Sequence, residues 1–307
     1  MSGGTGTPKL LQGLVRLVSE ENLTIICNTA DDYYFYGLYI SPDIDSVLYS
    51  LSGLLDEEKW WGIKDDTFNC LDMLKKYGYD TWFQLGDRDL AIHIHRTRLL
   101  NEGLLLSEVI NNISVRLNIK ACVLPMTDQK VTTIVLTNKG QLNFQEFWVK
   151  EHANVKVESI EFEGVQTAKP SSGVINRILE SDVIIIGPSN PITSIGPILK
   201  TKGIKEALKM SESLKIAISP IIGEQPLSGP AGQLMKSQNL EVSPYSIAKI
   251  YSSFLDVLVI QNTDTQFISP IEDLGISAFP TDIIMKDQSS KINLAQEILH
   301  LIEARRC

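Results

Sequence analysis

SGGTGTPKL, residues 2–10, joins a glycine-rich loop to an apolar-periodic run that continues to residue 18. Glycine allows positive φ and lets a ligand approach the backbone closely. We expect Thr7 to cap the helix and Pro8 to occupy its first turn, where an amide has no intrahelical partner. The free amides and the dipole at such a helix start bind anions. The stretch therefore predicts a site for a phosphate-bearing ligand, lined by Gly3, Gly4, Thr5, Gly6, Thr7 and Lys9.

Two familiar phosphate loops do not match this stretch. A Walker loop requires Gly-Lys-Ser/Thr after four spacers, and the dinucleotide fingerprint requires a third glycine where Lys9 stands. A turn that only caps a helix is the alternative, and it explains three glycines and two threonines poorly. Such loops follow a strand, yet only Met1 precedes Ser2. We therefore expect either a further strand upstream or a first strand that is nearly absent.

The composition is that of an ordinary globular protein. The 307 residues are 43% hydrophobic and 21% charged, and the net charge is −9. An acidic chain of this kind argues against nucleic acid or an anionic membrane as a partner. Four scattered cysteines without C-x-x-C spacing predict neither a disulfide framework nor a zinc site. No apolar run reaches about 20 residues and no signal peptide is evident, so we expect a cytoplasmic protein.

Short apolar runs alternate with amphipathic helices and end in polar or glycine-rich clusters. Continuous apolar strands interleaved with helices indicate a parallel sheet covered on both faces, the Rossmann-like, doubly wound α/β class. Ligands of such sheets gather at the carboxyl ends of the strands. The turn after the second strand offers Ser189, Asn190 and Thr193 to a nucleotide. The predicted strands are residues 23–28, 182–187, 214–219 and 256–260.

Residues 43–119 contain four helical patterns in succession. We interpret them as a helical insertion that covers the ligand edge of a single α/β nucleotide-binding domain spanning residues 1–307. Residues 131–137, 141–148 and 155–162 predict hairpin-like antiparallel strands. A last helix is expected over residues 291–305.

Paired carboxylates follow two of the predicted strands. Asp43 and Asp45 stand near a helix start, and Asp31 and Asp32 follow the first long strand. Aspartate at a helix start is commonly only a cap. Two such pairs beside a phosphate loop instead favour magnesium, which binds carboxylates together with phosphate oxygens. We therefore predict Asp43 and Asp45 as metal ligands.

Residues 85–90, LGDRDL, open another helix. Asp89, His93 and Arg96 share one face of it by i, i+4 and i+7 spacing, and a solvated salt-bridging face is the alternative. Arg88 at the turn is the better candidate for a catalytic cation. Trp60-Trp61 and the aromatic run at residues 33–36 are either core or a stacking surface for a flat ring. No arrangement for covalent catalysis is present.

Several longer motifs occur together and in a fixed order along nearly the whole chain. They resemble the 2-phospho-L-lactate transferase family, which implies a step in the biosynthesis of coenzyme F-420. In that reaction a guanosine diphosphate ester of lactate or of enolpyruvate donates its phospho-acid to the deazaflavin Fo, GMP leaves, and Mg2+ is required. The motifs are SGGTGTPKL, NTADD, SPDIDSVLY, WWGI, LGDRDLAIH, LPMTD, IGPSNPITSIGPIL and SPIIG followed by SGPAGQLM.

The resemblance also implies roles for particular residues. Asp45 corresponds to the deazaflavin-site aspartate, and whether it binds metal or accepts the attacking proton stays open. Gln84 corresponds to a second acceptor-site position, where some members carry a cation. Arg88 would neutralise charge on the transferred phosphoryl group. The choice between lactate and enolpyruvate stays open, and nothing in the sequence excludes a homodimer. The alternative function is a non-catalytic nucleotide-sugar-binding regulator of the gluconeogenesis-factor type.

Overall fold

The computed structural model of the chain describes residues 1–306 and builds them from alternating strands and helices. Within these residues no helix combines the length and apolar content needed to cross a membrane. The strands are β1 (Thr24–Cys27), β2 (Tyr33–Phe35), β3 (Leu38–Ile40), β4 (Cys122–Pro125), β5 (Thr132–Thr137), β6 (Gly140–Asn143), β7 (Val157–Glu163), β8 (Val183–Ile186), β9 (Leu214–Ile218), β10 (Ile221–Ile222), β11 (Gln225–Pro226), β12 (Val257–Gln261) and β13 (Ser277–Thr281). The helices are α1 (Gly6–Leu14), α2 (Pro42–Leu51), α3 (Asn69–Lys76), α4 (Asp87–Asn101), α5 (Leu106–Arg116), α6 (Val174–Glu180), α7 (Ile195–Lys200), α8 (Ile204–Met210), α9 (Ala231–Ser237), α10 (Pro244–Tyr251), α11 (Ile268–Glu272) and α12 (Gln288–Arg306).

The central strands are parallel. They form a four-stranded sheet in the order β13-β12-β9-β8 and a two-stranded sheet of β1 and β4. The four strands predicted from apolar runs are β1, β8, β9 and β12, and the α/β class with a parallel sheet is confirmed. The sequence reasoning missed β4 and β13, each a short run that ends at or contains a proline.

Met1 and Ser2 join the two parallel sheets. On one side the Ser2 amide donates to the Ile26 carbonyl at 2.8 Å, and the Asn28 amide donates to the Ser2 carbonyl at 3.0 Å. On the other side the Met1 amino group donates to the Ile185 carbonyl at 2.7 Å, and the Gly187 amide donates to the Met1 carbonyl at 3.1 Å. Two residues thus serve as the strand that precedes the glycine loop, and they hold it between β1 and β8.

Strand alternation divides the core into two layers. Ile216 and Ile218 of β9 point to the layer formed with α1, α2, α5 and α12, whereas Ala217 points to the layer formed with α6, α7, α8 and α10. Both faces of the sheet are therefore covered. This arrangement directs a ligand to the strand ends, because no face of the sheet is open.

The helical patterns of residues 43–119 form α2, α3, α4 and α5, and the last predicted helix is α12. The antiparallel strands form a sheet in the order β6-β5-β7. The predicted strand 141–148 was too long, because β6 ends at Asn143 and residues 146–150 form a π-helix. At this ending the Asn143 side chain accepts the Glu146 amide at 2.9 Å, and the Glu146 side chain accepts the Asn143 amide at 3.1 Å.

Candidate functional site

A cavity of about 710 Å³ opens at the carboxyl ends of the parallel strands. This volume lies within the range of small-molecule sites. We call the polar residues of its lining around the glycine loop the polar half of the cavity and the aromatic residues of its lining the aromatic half. The polar half includes Gly4, Thr5, Gly6, Asp31, Asp43, Pro188, Ser189, Asn190 and Ser194, and the aromatic half includes Trp60, Trp61, Trp82, Phe83, Phe144 and Trp148.

The glycine loop forms the floor of the polar half. Helix α1 begins at Gly6 with Thr5 at the N-cap position, so the predicted cap at Thr7 was wrong. Thr7 lies inside the first turn, and its hydroxyl is 2.8 Å from the Ser189 hydroxyl. Ser189 also accepts the Gly3 amide at 3.1 Å. The amides of Gly6 and Thr7 precede the first intrahelical bonds, so the helix start retains donors for an anion.

The glycines of this loop are required by close packing. Gly3, Gly4 and Gly6 do not have positive φ, which corrects the reason given for them from the sequence. A Cβ at Gly6 would lie 2.0 Å from the Pro188 carbonyl oxygen, and a Cβ at Gly3 would lie 2.2 Å from Ser194 Cβ. The loop therefore rests directly against the turn at residues 188–194. The sequence predicted that these two segments bind the same nucleotide.

Two buried carboxylates face the cavity from neighbouring segments. The Asn28 amide group donates to Asp31 at 3.2 Å and to Asp43 at 2.9 Å, which brings the two acids to one point. Burial raises the pKa of Asp43 to about 6, against hydrogen bonds from Asn28 and the Gly4 amide. Burial, together with the charge of Asp43, also raises the pKa of Asp31. Two crowded carboxylates of this kind fit a bound cation, which would remove their mutual repulsion.

Of the two predicted metal ligands, the structure places Asp43 in the cavity lining and Asp45 outside it. Asp43 and Asp45 are two residues apart on α2, so their side chains leave the helix on nearly opposite sides. Asp43 lines the cavity, whereas Asp45 binds the guanidinium of Arg96 through both carboxylate oxygens. Asp32 likewise turns away and accepts the hydroxyls of Tyr39 and Ser41, both at 2.7 Å.

One acid from each predicted pair thus reaches the cavity. Within residues 1–306 no three His, Cys, Asp or Glu side chains gather as a metal-binding group. Asp31 and Asp43 therefore fit a metal that takes one or two carboxylates and completes its shell with substrate phosphates, as Mg2+ does. The deazaflavin-site role that the resemblance implies for Asp45 stays a prediction.

Arg96 belongs to a buried network and not to a solvated helix face, so the alternative considered from the sequence was wrong. Its Nη1 lies 3.1 Å from His93 Nδ1, and His93 Nε2 lies 3.1 Å from Asp89 Oδ1. Tyr49 donates its hydroxyl to the same Asp89 oxygen. Because arginine only donates, His93 Nδ1 is the acceptor and its proton is on Nε2. This network fixes α4 against α2 and sets the rotation of α2.

Asp87 caps a helix, and Arg88 contacts a turn outside the cavity. The Arg88 side chain donates to the Lys64 carbonyl at 3.1 Å and lies outside the cavity lining, which corrects its predicted contact with the phosphoryl group. Asp87 accepts the Cys70 amide at 2.9 Å at the start of α3. Asp66 accepts the Arg88 and Asp89 amides at 2.9 and 3.0 Å at the start of α4. Asp87 at the start of α4 thus caps α3, and Asp66, which precedes α3, caps α4.

The aromatic half of the cavity collects rings from three separate parts of the chain. Trp60 and Trp61 were expected there as one alternative, but Trp82 and Trp148 were missed. The signals were present in TWFQ at residues 81–84 and FQEFW at residues 144–148, where rings flank glutamines. In the run at residues 33–36 Phe35 is buried, with its ring centroid 5.1 Å from that of Trp82, Tyr33 and Tyr36 pack partly buried against that cluster, and Tyr34 is exposed.

The remaining predicted residues divide between the cavity and its surroundings. Gln84 lines the cavity beside Trp82. Asn190 also lines the cavity, and its side chain accepts the Ile192 amide at 2.9 Å. Thr193 is buried behind the lining, where its carbonyl accepts from Asn28 at 3.2 Å. Lys9 places its ammonium 4.3 Å from the ring centroid of Trp60 instead of beside the glycine loop.

A family model described as 2-phospho-L-lactate transferase CofD matches residues 1–292. The chain belongs to this family. Three relatives named 2-phospho-L-lactate transferase extend the likeness over almost the full lengths of both chains. They are those of Methanocaldococcus jannaschii, 45% identical over 97% of this chain and 96% of the relative; Methanococcoides burtonii, 44% identical over 98% and 97%; and Methanococcus maripaludis strain S2, 43% identical over 99% and 98%.

A solved structure supports the fold class independently. A member of the UPF0052 family from Bacillus halodurans superposes with a TM-score of 0.64, covers 97% of this chain and 96% of its own, and is 18% identical in sequence. Identity this low shows the fold alone. It therefore gives no support to the regulator alternative.

Proposed function

We propose that this transferase moves a phospho-three-carbon-acid group, phospholactyl or phosphoenolpyruvyl, from a guanosine diphosphate ester to the deazaflavin Fo, releasing GMP in coenzyme F-420 biosynthesis. One observation carries the proposal: a single cavity combines a helix start for phosphate with an aromatic wall for a flat ring. A site for a nucleotide alone would not require the aromatic half of the cavity.

The polar half suits the donor. The amides of Thr5 and Gly6 at the start of α1 would meet the diphosphate, and Ser189 and Asn190 of the lining would meet the nucleoside end. Asp31 and Asp43 would hold Mg2+, which supplies positive charge to the phosphate oxygens of the donor. This assignment leaves Asp45 outside the metal site, in its contact with Arg96.

The aromatic half suits the acceptor. Trp60, Trp61, Trp82 and Trp148 offer ring surface for the deazaflavin, and Gln84 offers an amide to its polar chain. The terminal hydroxyl of the acceptor forms the new O–P bond, the P–O bond to GMP breaks opposite to it, and the hydroxyl proton is released. Phosphoryl transfer requires chiefly positioning and charge stabilisation, so the lack of a covalent nucleophile is no obstacle.

The test is a reconstituted reaction. Purified protein is incubated with Fo, Mg2+ and either the lactate or the enolpyruvate ester of guanosine diphosphate, and GMP and the new phosphodiester are measured together. Equal amounts of both products, formed only when Fo is present, support the proposal. GMP formed at the same rate without Fo indicates hydrolysis, and no product from either donor overturns the proposal.

A further inference from the structure

The cavity of this protein has an unusual balance of charge for a site that receives anions. Asp31 and Asp43 contribute negative charge to its lining. Among the described residues that line it, Lys59 is the only lysine or arginine. The donor of the proposed function carries a carboxylate in addition to its diphosphate. Backbone amides and a metal account for the diphosphate, but they leave the carboxylate without a partner.

Lys59 is held in place by its own loop. Asp56 accepts the Glu58 and Lys59 amides at 3.0 and 3.1 Å, and the Trp60 amide donates to the Asp56 carbonyl at 2.8 Å. The Lys59 ammonium lies 2.9 Å from the second Asp56 oxygen and 5.5 Å from the ring centroid of Trp61. The loop therefore fixes the backbone of Lys59, which is a residue of the cavity lining.

The next residue, Trp60, also lines the cavity and anchors this loop to helices α1 and α12. The ring of Trp60 packs under Lys9 of α1, at 4.3 Å, and under Lys291 of α12, at 4.7 Å. Lys291 is in turn held by Gln12 at 2.6 Å and Glu57 at 2.9 Å. Trp60 thus connects the helix of the glycine loop with the aromatic wall, and Lys59 lies beside that connection.

Resting on the proposed function, we propose that Lys59 binds the carboxylate of the transferred three-carbon acid. That acid is bonded to the reacting phosphorus, so it must lie where the donor and acceptor halves meet. A lysine ammonium is a compact charge with three donors and suits a small carboxylate. Its pairing with Asp56 is half-exposed, with 48% of the Lys59 side chain accessible, and such pairs contribute little stability.

If the Lys59 ammonium leaves Asp56 and binds the substrate carboxylate, no buried charge loses its partner. When the ammonium turns to the substrate, Asp56 keeps the amides of Glu58 and Lys59. The role is therefore one of specificity: Lys59 favours donors that carry a carboxylate next to the phosphate ester.

The test compares Lys59→Ala, Lys59→Arg and the wild type with two donors. One donor is the lactate ester of guanosine diphosphate. The other is the ethyl ester of guanosine diphosphate, in which an ethyl group replaces lactate and no carboxylate is present. Lys64→Ala is the matched control, because Lys64 is an exposed lysine of the same segment outside the cavity lining. We expect Lys59→Ala to lose about 10- to 100-fold in kcat/KM with the lactate ester, the cost of one charge-assisted hydrogen bond. Rates with the ethyl ester and the Kd for GDP should stay unchanged, and Lys59→Arg should keep part of the preference.

Each other outcome has a distinct meaning. An unchanged preference for the lactate ester in Lys59→Ala overturns the inference. An equal loss with both donors, together with weaker GDP binding, overturns it as well, because Lys59 would then bind the diphosphate. A wild-type protein that transfers from neither donor contradicts the proposed function itself, whatever the variants do.

Discussion

Replacing Gly6 with alanine tests how the glycine loop is built. The new Cβ would lie 2.0 Å from the Pro188 carbonyl oxygen and 2.8 Å from its carbon, whereas ordinary contact begins at 3.4 Å. The loop and the turn must therefore separate by about 1.4 Å, the difference between those distances. The obstacle is backbone, and the Ser189 amide, which donates to the Gly187 carbonyl at 2.7 Å, holds that turn closed. Rotation of a side chain cannot relieve the overlap.

The cost follows from this geometry. Overpacking of a filled interior costs about 1–3 kcal/mol, and a backbone obstacle places Gly6→Ala near the upper end. At about 2 °C for each kcal/mol in a chain of this size, Tm should fall by about 6 °C. The Kd for GDP, measured on folded protein, should rise at least about tenfold, because the amides of α1 move away from Ser189 and Asn190.

Gly4→Ala is the matched control for Gly6→Ala. Its Cβ would lie 3.1 Å from Asp43 Oδ1, a side-chain atom that needs to give by only a few tenths of an ångström. We expect its loss of stability to stay below about 1 kcal/mol. Equal Tm values for Gly6→Ala and wild type, or equal losses in the two variants, would refute the conclusion that the loop is packed on residues 188–194.

Three other variants separate the roles of the acidic and basic residues. Asp43→Asn should abolish Mg2+-dependent transfer and the Mg2+ binding seen by calorimetry in the presence of GDP; undiminished binding would place the metal elsewhere. Arg88→Ala should keep single-turnover transfer within about twofold of wild type, since one surface hydrogen bond to a carbonyl is lost; a large loss would return Arg88 to the mechanism. Asp87→Asn should lower Tm at pH 7 and lose this effect in acid. The Thr67 hydroxyl, followed by the Cys70 amide, lowers the pKa of Asp87 from 3.8 to about 2, so its stabilisation is complete above about pH 4 and disappears towards pH 2. A Tm difference that does not change between pH 7 and pH 3 would contradict this assignment.

The sequence was most informative where the signal is local. Apolar runs followed by polar turns identified β1, β8, β9 and β12, because a strand buried on both faces must be apolar throughout. The helix start was misplaced by two residues, since Thr5 and Thr7 are equally good caps in isolation. The contact between Thr7 and Ser189, 182 residues apart, places Thr7 inside the helix, and no local pattern contains that information.

The orientation of the site residues depends on contacts between residues far apart in the sequence. Helical geometry already required Asp43 and Asp45 to point apart, but which of them faces the ligand depends on the rotation of α2. That rotation is set by Arg96, which lies 51 residues from Asp45. Arg88 and Arg96 are candidates on one helix with the same chemistry. Only the packing of α4 buries Arg96 and leaves Arg88 at the surface.

The aromatic wall has an optical consequence. The chain contains four tryptophans, and all four, Trp60, Trp61, Trp82 and Trp148, line the cavity. The tryptophan emission of the protein therefore originates around the ligand site, with no indole elsewhere in the sequence to contribute background. A coloured flat molecule that enters the cavity becomes the nearest energy acceptor for every emitter at once. The unlabelled protein is in this sense its own fluorescent probe of occupancy.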